Sequence, residues 1–426
     1  MYYNSVCEEN KVDKKTIIGG LITVLLFTIY NIFPNSVILV LGILLLLFAL
    51  LLFQNLQFFY LLILLSPNIM TIKIIGKPNA IIGYFALLFC LKLIIQYGLF
   101  FQKKVFAKLI VGNLFLFISI LLNSEDKGFV IRIISFVVIL TIIYRESEID
   151  KISLMRTYIF GCVIDVICSL IYKTAKGINV FTQSFSGIND DRNYFAITGV
   201  IALALLTFLI SYTKKLGVFE AISLITLSIG GILSNSRTFI ILFAVVIIIF
   251  AFEFFSNPSV GIFLIIVVIV ILIGQNSFLA NIFGSFDNLI NRFNEDNAEG
   301  GNGRFEAWNV YLNYLFSSIR NILLGCGSST KYATTNALGI SEVEHNTIVQ
   351  LLFSVGIIGT IGYITMFSSI VDIIKNNEKM NCSIIKLIPL IVLIIGYCTI
   401  NGAFSDRFIY SLYMCICVFT FPKYCS

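Results

Sequence analysis

The chain holds one histidine, His345, among 426 residues. An unperturbed imidazole titrates near ~6.5, which makes it the usual proton carrier close to neutrality. His345 closes the polar stretch 276–345, and an apolar run begins directly behind it. Arg192, Arg237, Arg292, Arg304, Arg320 and Arg407 fall in polar segments or at the edges of apolar runs, whereas other short loops carry mostly lysine. A guanidinium offers a planar fork of N–H donors that fits phosphate and keeps its charge under partial burial. Several such cations with one imidazole read as a site for an anionic group. The blander alternatives stay open at this point: arginines can simply solvate loops, and Arg237, between apolar runs, can snorkel from a helix end.

The elements that must position these residues are read from composition. Hydrophobic residues make up 58% of the chain and charged residues 12%, against ~25% charged in an ordinary soluble domain. A helix needs roughly 17–25 apolar residues to cross a bilayer core. The runs are continuous (LGILLLLFALLLF, IILFAVVIIIFAF) rather than alternating, so helices and not a barrel are expected. Spans are predicted at 16–33, 36–53, 58–70, 80–101, 109–122, 129–144, 153–172, 193–212, 217–234, 238–255, 259–275, 346–373, 385–400 and 408–421. The third is short, carries Pro67 near its end and also reads as a re-entrant segment. The fold class is an all-α polytopic membrane protein with about 12–14 transmembrane helices. Its parts are N-terminal helices (1–275), a long loop (276–345) and C-terminal helices (346–426).

The net charge of +6 is spread over many short loops, so no nucleic-acid partner is expected. Cys90, Cys162, Cys168, Cys398, Cys415 and Cys417 lie in apolar runs, with no CxxC pair and no Cys/His cluster; neither a metal site nor a cofactor is expected. The first apolar run has no small-residue cleavage pattern, and no removed signal peptide is expected. With the N-terminal lysines (Lys11, Lys14, Lys15) in the cytoplasm, Lys103, Lys104, Lys108, Lys214, Lys215, Lys375, Lys379 and Lys386 are cytoplasmic too. That orientation puts 173–192, 234–237, 276–345 and 401–407 on the outer face. Lys92, Arg132, Arg156 and Asp165 fall within apolar runs, as ionisable residues of a transporter would.

Within the long loop, Gly300, Gly301 and Gly303 precede RFEAWNVYLNYLFSSI, residues 304–319. Phe305, Trp308, Tyr311, Leu312 and Leu315 follow helical spacing and predict an amphipathic helix at headgroup level. Arg304 sits in its first turn, where free N–H groups also favour an anion. GCGSSTKYATTN (325–336) reads as a glycine-broken polar loop, small enough for a substrate to approach its backbone.

Taken in order, GRFEAW with Arg304 and Trp308, then GCG, then His345-Asn346 followed by GIIG from Gly356 to Gly359, resembles the O-antigen ligase and polymerase superfamily. SNSRTF around Arg237 and DDRNYFA at 190–196 are similar to further elements of it, and the likeness spans about 190–365. The resemblance implies a GT-C-like membrane glycosyltransferase, in the inner (cytoplasmic) membrane, acting outside it on a polyprenyl-diphosphate-linked oligosaccharide. It implies that Arg237 and Arg304 bind pyrophosphate and that His345 is the catalytic base, with Arg192 and Arg407 as weaker substrate-binding candidates. Partners implied are membrane lipid, a chain-length regulator and a flippase of the same pathway. A polysaccharide polymerase (O-antigen, capsule or exopolysaccharide) is the first reading, a ligase moving finished glycan to lipid A core the second, and a flippase or transporter the third.

Overall fold

The computed structural model describes residues 12–34, 36–52, 54–68, 71–74, 77–97, 103–123, 150–180, 185–188, 191–254, 304–377 and 384–419. They form helices α1 (Lys14–Ile32), α2 (Val37–Leu51) and α3 (Asn55–Leu65), a hairpin of β1 (Thr71–Ile74) and β2 (Lys77–Ala80), and α4 (Ile81–Tyr97) and α5 (Lys103–Asn123). Next come α6 (Lys151–Ala175), α7 (Arg192–Thr213), α8 (Val218–Leu233) and α9 (Arg237–Phe254). After 303 follow α10 (Arg304–Phe316), α11 (Ile319–Leu324), α12 (Ser329–Thr335), α13 (Thr347–Asn377), α14 (Ile384–Tyr397) and α15 (Asp406–Phe419).

The chain is a polytopic helical membrane protein. Four helices, α1, α6, α7 and α13 as far as Ser369, are long and apolar enough to cross a bilayer by themselves, and shorter apolar helices accompany them. Every predicted span coincides with a helix except those at 129–144 and 259–275, which lie outside the described residues, as does Arg292. The antiparallel hairpin, Thr71 opposite Ala80, was not expected from the sequence. It follows α3, whose 11 residues are too few to span.

Burial orders the bundle. A helix that is apolar all round belongs in the centre, and α7 is 89% buried over its most apolar window, against 44% for α1. It packs against α6, α8, α9, α14 and α15. Two cations within apolar runs have partners: Lys92 donates to the Leu51 carbonyl at 2.8 Å, and the exposed Arg156 meets the buried Glu220 at 2.6 Å.

The segment after 303 is fastened to the bundle through glycines. A Cβ on Gly112 of α5 would lie 2.6 Å from the Gly362 carbonyl oxygen of α13, so the two backbones touch as small residues permit between helices. Higher in α13, Gly356 leaves helical geometry at φ 65°, ψ −171° and kinks the helix. There the chain at Gly325 to Gly327 lies against α13: Cys326 N–H donates to Phe353 O at 2.6 Å and Gly327 N–H to Ser354 O at 3.2 Å. What approaches the GCG backbone is therefore α13, in place of the substrate expected there.

The amphipathic helix is shorter than expected. It stops at Phe316 because Ser318 accepts from Asn321 N–H and caps a second helix, α11. Tyr311 and Leu315 are buried and Trp308 and Leu312 partly so, but Phe305 is 60% exposed. The polar stretch after GCG also contains the short helix α12.

Gly356→Ala should destabilise the protein by about 2–5 kcal/mol, combining a glycine-only backbone with overpacking. A Cβ there would sit 2.4 Å from Gly325 N. Thermal unfolding of the purified variant checks this, and a melting temperature equal to the parent's would show that the contact is slack.

Candidate active site

Five chain segments meet at one end of the bundle, each arriving at a helix terminus. The first is the start of α7. Asp191 caps it by accepting from Asn193 N–H at 2.7 Å, which leaves Arg192 as its first helical residue. The second is the tight turn from α8 to α9. Asn235 takes a left-handed conformation at φ 51°, which asparagine tolerates, and Ser234 Oγ accepts from Ser236 N–H at 3.3 Å. This turn fixes Arg237 as the first residue of α9. It is tied to the first segment by Ser236 Oγ, which donates to Asn193 Oδ1 at 2.9 Å.

The third segment is the approach to α13. Asn346 caps that helix, its Oδ1 accepting from Ile348 and Val349 N–H at 2.9 and 3.1 Å. The fourth, the connection from α14 to α15, holds this cap: Asn346 N–H donates to Asn401 Oδ1 at 3.0 Å, and Thr347 Oγ1 donates to Ile400 O at 2.8 Å. Asn401 also accepts the Tyr194 hydroxyl on its carbonyl, and Thr238 reaches Thr399 at 3.1 Å. The Ser-Asn-Ser turn, the His-Asn pair and the 399–403 loop thus form one hydrogen-bonded belt.

The fifth segment is α10, and it sets His345. The imidazole is carried on a left-handed backbone at φ 43°, unusual for a residue with a side chain. Two aromatic donors of α10 hold the strand on its N-terminal side: Trp308 Nε1–H donates to the Glu344 carbonyl, and the Tyr311 hydroxyl to the Glu342 carbonyl at 2.9 Å. Trp308, read from sequence as an interfacial anchor, thus has a positioning contact. Tyr311 stacks edge-on against Phe353 of α13, ring centres 4.8 Å apart, so α10 is itself braced.

Burial pushes the His345 imidazole below its ordinary range, and the Arg304 guanidinium pushes it the same way; Asp191 and Glu342 pull it back up. The net direction is down, so the ring is held neutral and basic near pH 7. The same balance shows which charges face it: Arg304 from α10, Asp191 from the start of α7, and Glu342 from its own strand.

Of the arginines singled out in the sequence, Arg304 is brought to His345, and Arg237 and Arg192 begin the helices joined by the Ser236–Asn193 contact. Arg407 is 3% exposed in the first turn of α15, with Nη2 3.7 Å from Asp165 Oδ2 of α6. Arg320 is exposed on α11. A cavity of ≈ 250 Å³ beneath the Ser236–Asn193 contact is lined by Cys162, Asp165, Phe195, Thr198, Leu227 and Gly231 among others. Its enclosed part has room for about one water molecule. Among the described residues no three His, Cys, Asp or Glu side chains group as a metal would require. Asp191, Asn401 and Tyr194 were not singled out from sequence for the site. For Tyr194 the DDRNYFA stretch was a signal, whereas Asn401 sits in an ordinary-looking turn.

A search of curated proteins and one of solved structures returned no match. A family model described as O-antigen ligase matches residues 222–364, about a third of the chain. The match takes in Arg237, Arg304, His345 and both glycine elements, and leaves out Arg192 and Arg407. The segment that builds most of this site is thus similar to the O-antigen ligase family.

Proposed function

We propose that the chain is a polysaccharide polymerase. It transfers a glycan from its polyprenyl-diphosphate carrier to a hydroxyl of a lipid-linked repeat unit, on the outer face of the cytoplasmic membrane. The observation that carries this is the neutral His345 set beside Arg304 at the helix-terminus belt from which Arg192 and Arg237 also start. The acceptor oxygen attacks the anomeric carbon of the donor sugar, and the bond from that carbon to the pyrophosphate oxygen breaks. The hydroxyl proton passes to His345, and the pyrophosphate leaves on its lipid with one more negative charge. Arg304 and Arg237 supply the positive field that this charge needs. Arg192 is a further candidate for the same anion. Arg407, paired with Asp165, holds the neighbouring turn and reaches substrate only if that pair opens. Lysine-rich short loops on the opposite side of the predicted topology support the outward placement.

A second reading is a ligase that moves finished glycan to lipid A core or a comparable acceptor, favoured by the description of the matching family. The acceptor alone separates the two. Purified protein in nanodiscs, given a lipid-linked repeat unit as both donor and acceptor, should yield a ladder of lengthening products. Transfer only to an added core acceptor, with no ladder, would establish the ligase and reject the polymerase. Transport of lipid-linked glycan gains nothing from the family match.

His345→Ala should lower turnover by about 10²–10⁴-fold, and Arg304→Ala by about 10²–10³-fold, with membrane insertion unchanged. Arg237→Lys should lose about 10-fold or more if its two-pronged contact with phosphate matters. Parental rates in that variant would assign Arg237 to snorkelling. Because His345 is held below the ordinary ~6.5, kcat/KM should persist below that pH on acidification, until the ring takes a proton. An acid-side fall centred above it would contradict the base role. Rates should also survive a chelator, and loss restored by a divalent cation would show that guanidinium groups are insufficient.

A further inference from the structure

Glu344 precedes His345 and is buried more deeply. The charges of Arg304 and Asp191 act on His345, whereas the Glu344 side chain is 0% exposed. Neither of its carboxyl oxygens has a hydrogen-bond partner of good geometry among the described residues. The backbone around it is fully engaged by contrast: its own carbonyl takes the Trp308 indole N–H, and the carbonyl of Glu342 takes the Tyr311 hydroxyl.

The surroundings cannot support a negative charge. From α10 the titratable neighbour is the Tyr311 phenol, itself pushed up to about 12 by burial and by Glu344. From α12 comes the Ser329 hydroxyl, which is neutral. On its own segment stand Glu342, which is exposed, and the half-buried His345. A carboxylate enclosed with few donors is less stable than the acid. Burial pushes Glu344 up to about 7, and Ser329 and the backbone offset only part of this.

We propose that Glu344 is a positioning residue for His345: as a neutral acid it keeps strand 342–345 seated on α10 and α12, and on losing its proton it pulls away toward water and carries His345 out of register with Arg304. His345 follows Glu344 directly on a left-handed backbone, φ 43°, so a shift of the segment at 344 passes straight to the residue that carries the imidazole. The sign follows from linkage. The folded state binds this proton more tightly than the unfolded chain, where a glutamate titrates near ~4.3. The stabilising contribution is therefore complete below that value and is lost as pH rises through about 7. What His345 does rests on the proposed function, but the movement does not.

Trp308 is the only tryptophan in the chain and donates to the Glu344 carbonyl, so its fluorescence reads the movement without any substrate. The full-length protein in nanodiscs is titrated from acid to alkaline pH. The parent should show one reversible transition centred near about 7; Glu344→Gln should remove it, and His345→Gln should keep it. Glu344→Gln should also melt higher than the parent above that pH and no higher well below it, and should lose the alkaline fall in transfer rate while keeping the acid one. If Glu344→Gln does not fold, Glu344→Met, uncharged and of similar length, takes its place. A parent without a transition, or one that persists in both uncharged variants, overturns the proposal. A transition that vanishes as expected in a protein with no glycan transfer supports this proposal and rejects the functional one.

Discussion

Where a bundle of apolar helices ends, its last backbone groups have few partners to choose from. The first four N–H groups and last four C=O groups of each helix are unmet within the helix, and lipid offers nothing in return. Here the starts of α7, α9 and α13 and the connection from α14 to α15 are tied together through short polar side chains. Asn346 caps α13 and is held by Asn401; Ser236 reaches Asn193; Thr347 reaches Ile400. The need to pair these groups is what draws five distant parts of the chain together. The arginines that begin α7, α9 and α10 arrive there as a consequence of where those helices start.

The charge balance follows from the same packing. Arg304 and burial favour the neutral imidazole, while Asp191 and Glu342 oppose them. The acidic pair limits how far burial and Arg304 can lower the imidazole. Asp191 contributes twice, as the cap of α7 and as a charge facing the ring.

Much of the fold was legible because lipid imposes a simple rule on sequence. Continuous apolar runs gave the helices within a few residues wherever the chain is described, and Arg304, Arg237 and His345 stood out as polar groups at run edges. The amphipathic helix was legible in position but not in length, since the Ser317-Ser318 pair reads as easily as helix interior as it does as a cap. Phe305 fits the apolar stripe by spacing yet is exposed, as α10 packs through Tyr311 and Leu315. The hairpin after α3 was invisible because a four-residue strand leaves almost no periodicity to detect. Asn401 and Tyr194 were missed for a common reason: their parts depend on which remote backbone group lies opposite.

The two glycine elements show how a short motif can serve a site it never touches. Gly325, at φ 82°, and Gly356, at φ 65°, meet backbone to backbone, and α13 gives up helical geometry at that point. The contact hangs α10 to α12 on α13 about three turns beyond His345, with Asn123 of α5 donating to the Leu324 carbonyl at 2.6 Å as a second support. Trp308 and Tyr311 then reach back from α10 to the strand of His345. The loop between Gly325 and His345 is thereby closed at both ends, and the imidazole is held against α13 by a bracket anchored on the helix it precedes. A side chain at either glycine would shift the bracket as a whole, so the spacing between the His-Asn pair and GIIG is a geometric requirement of the imidazole's placement.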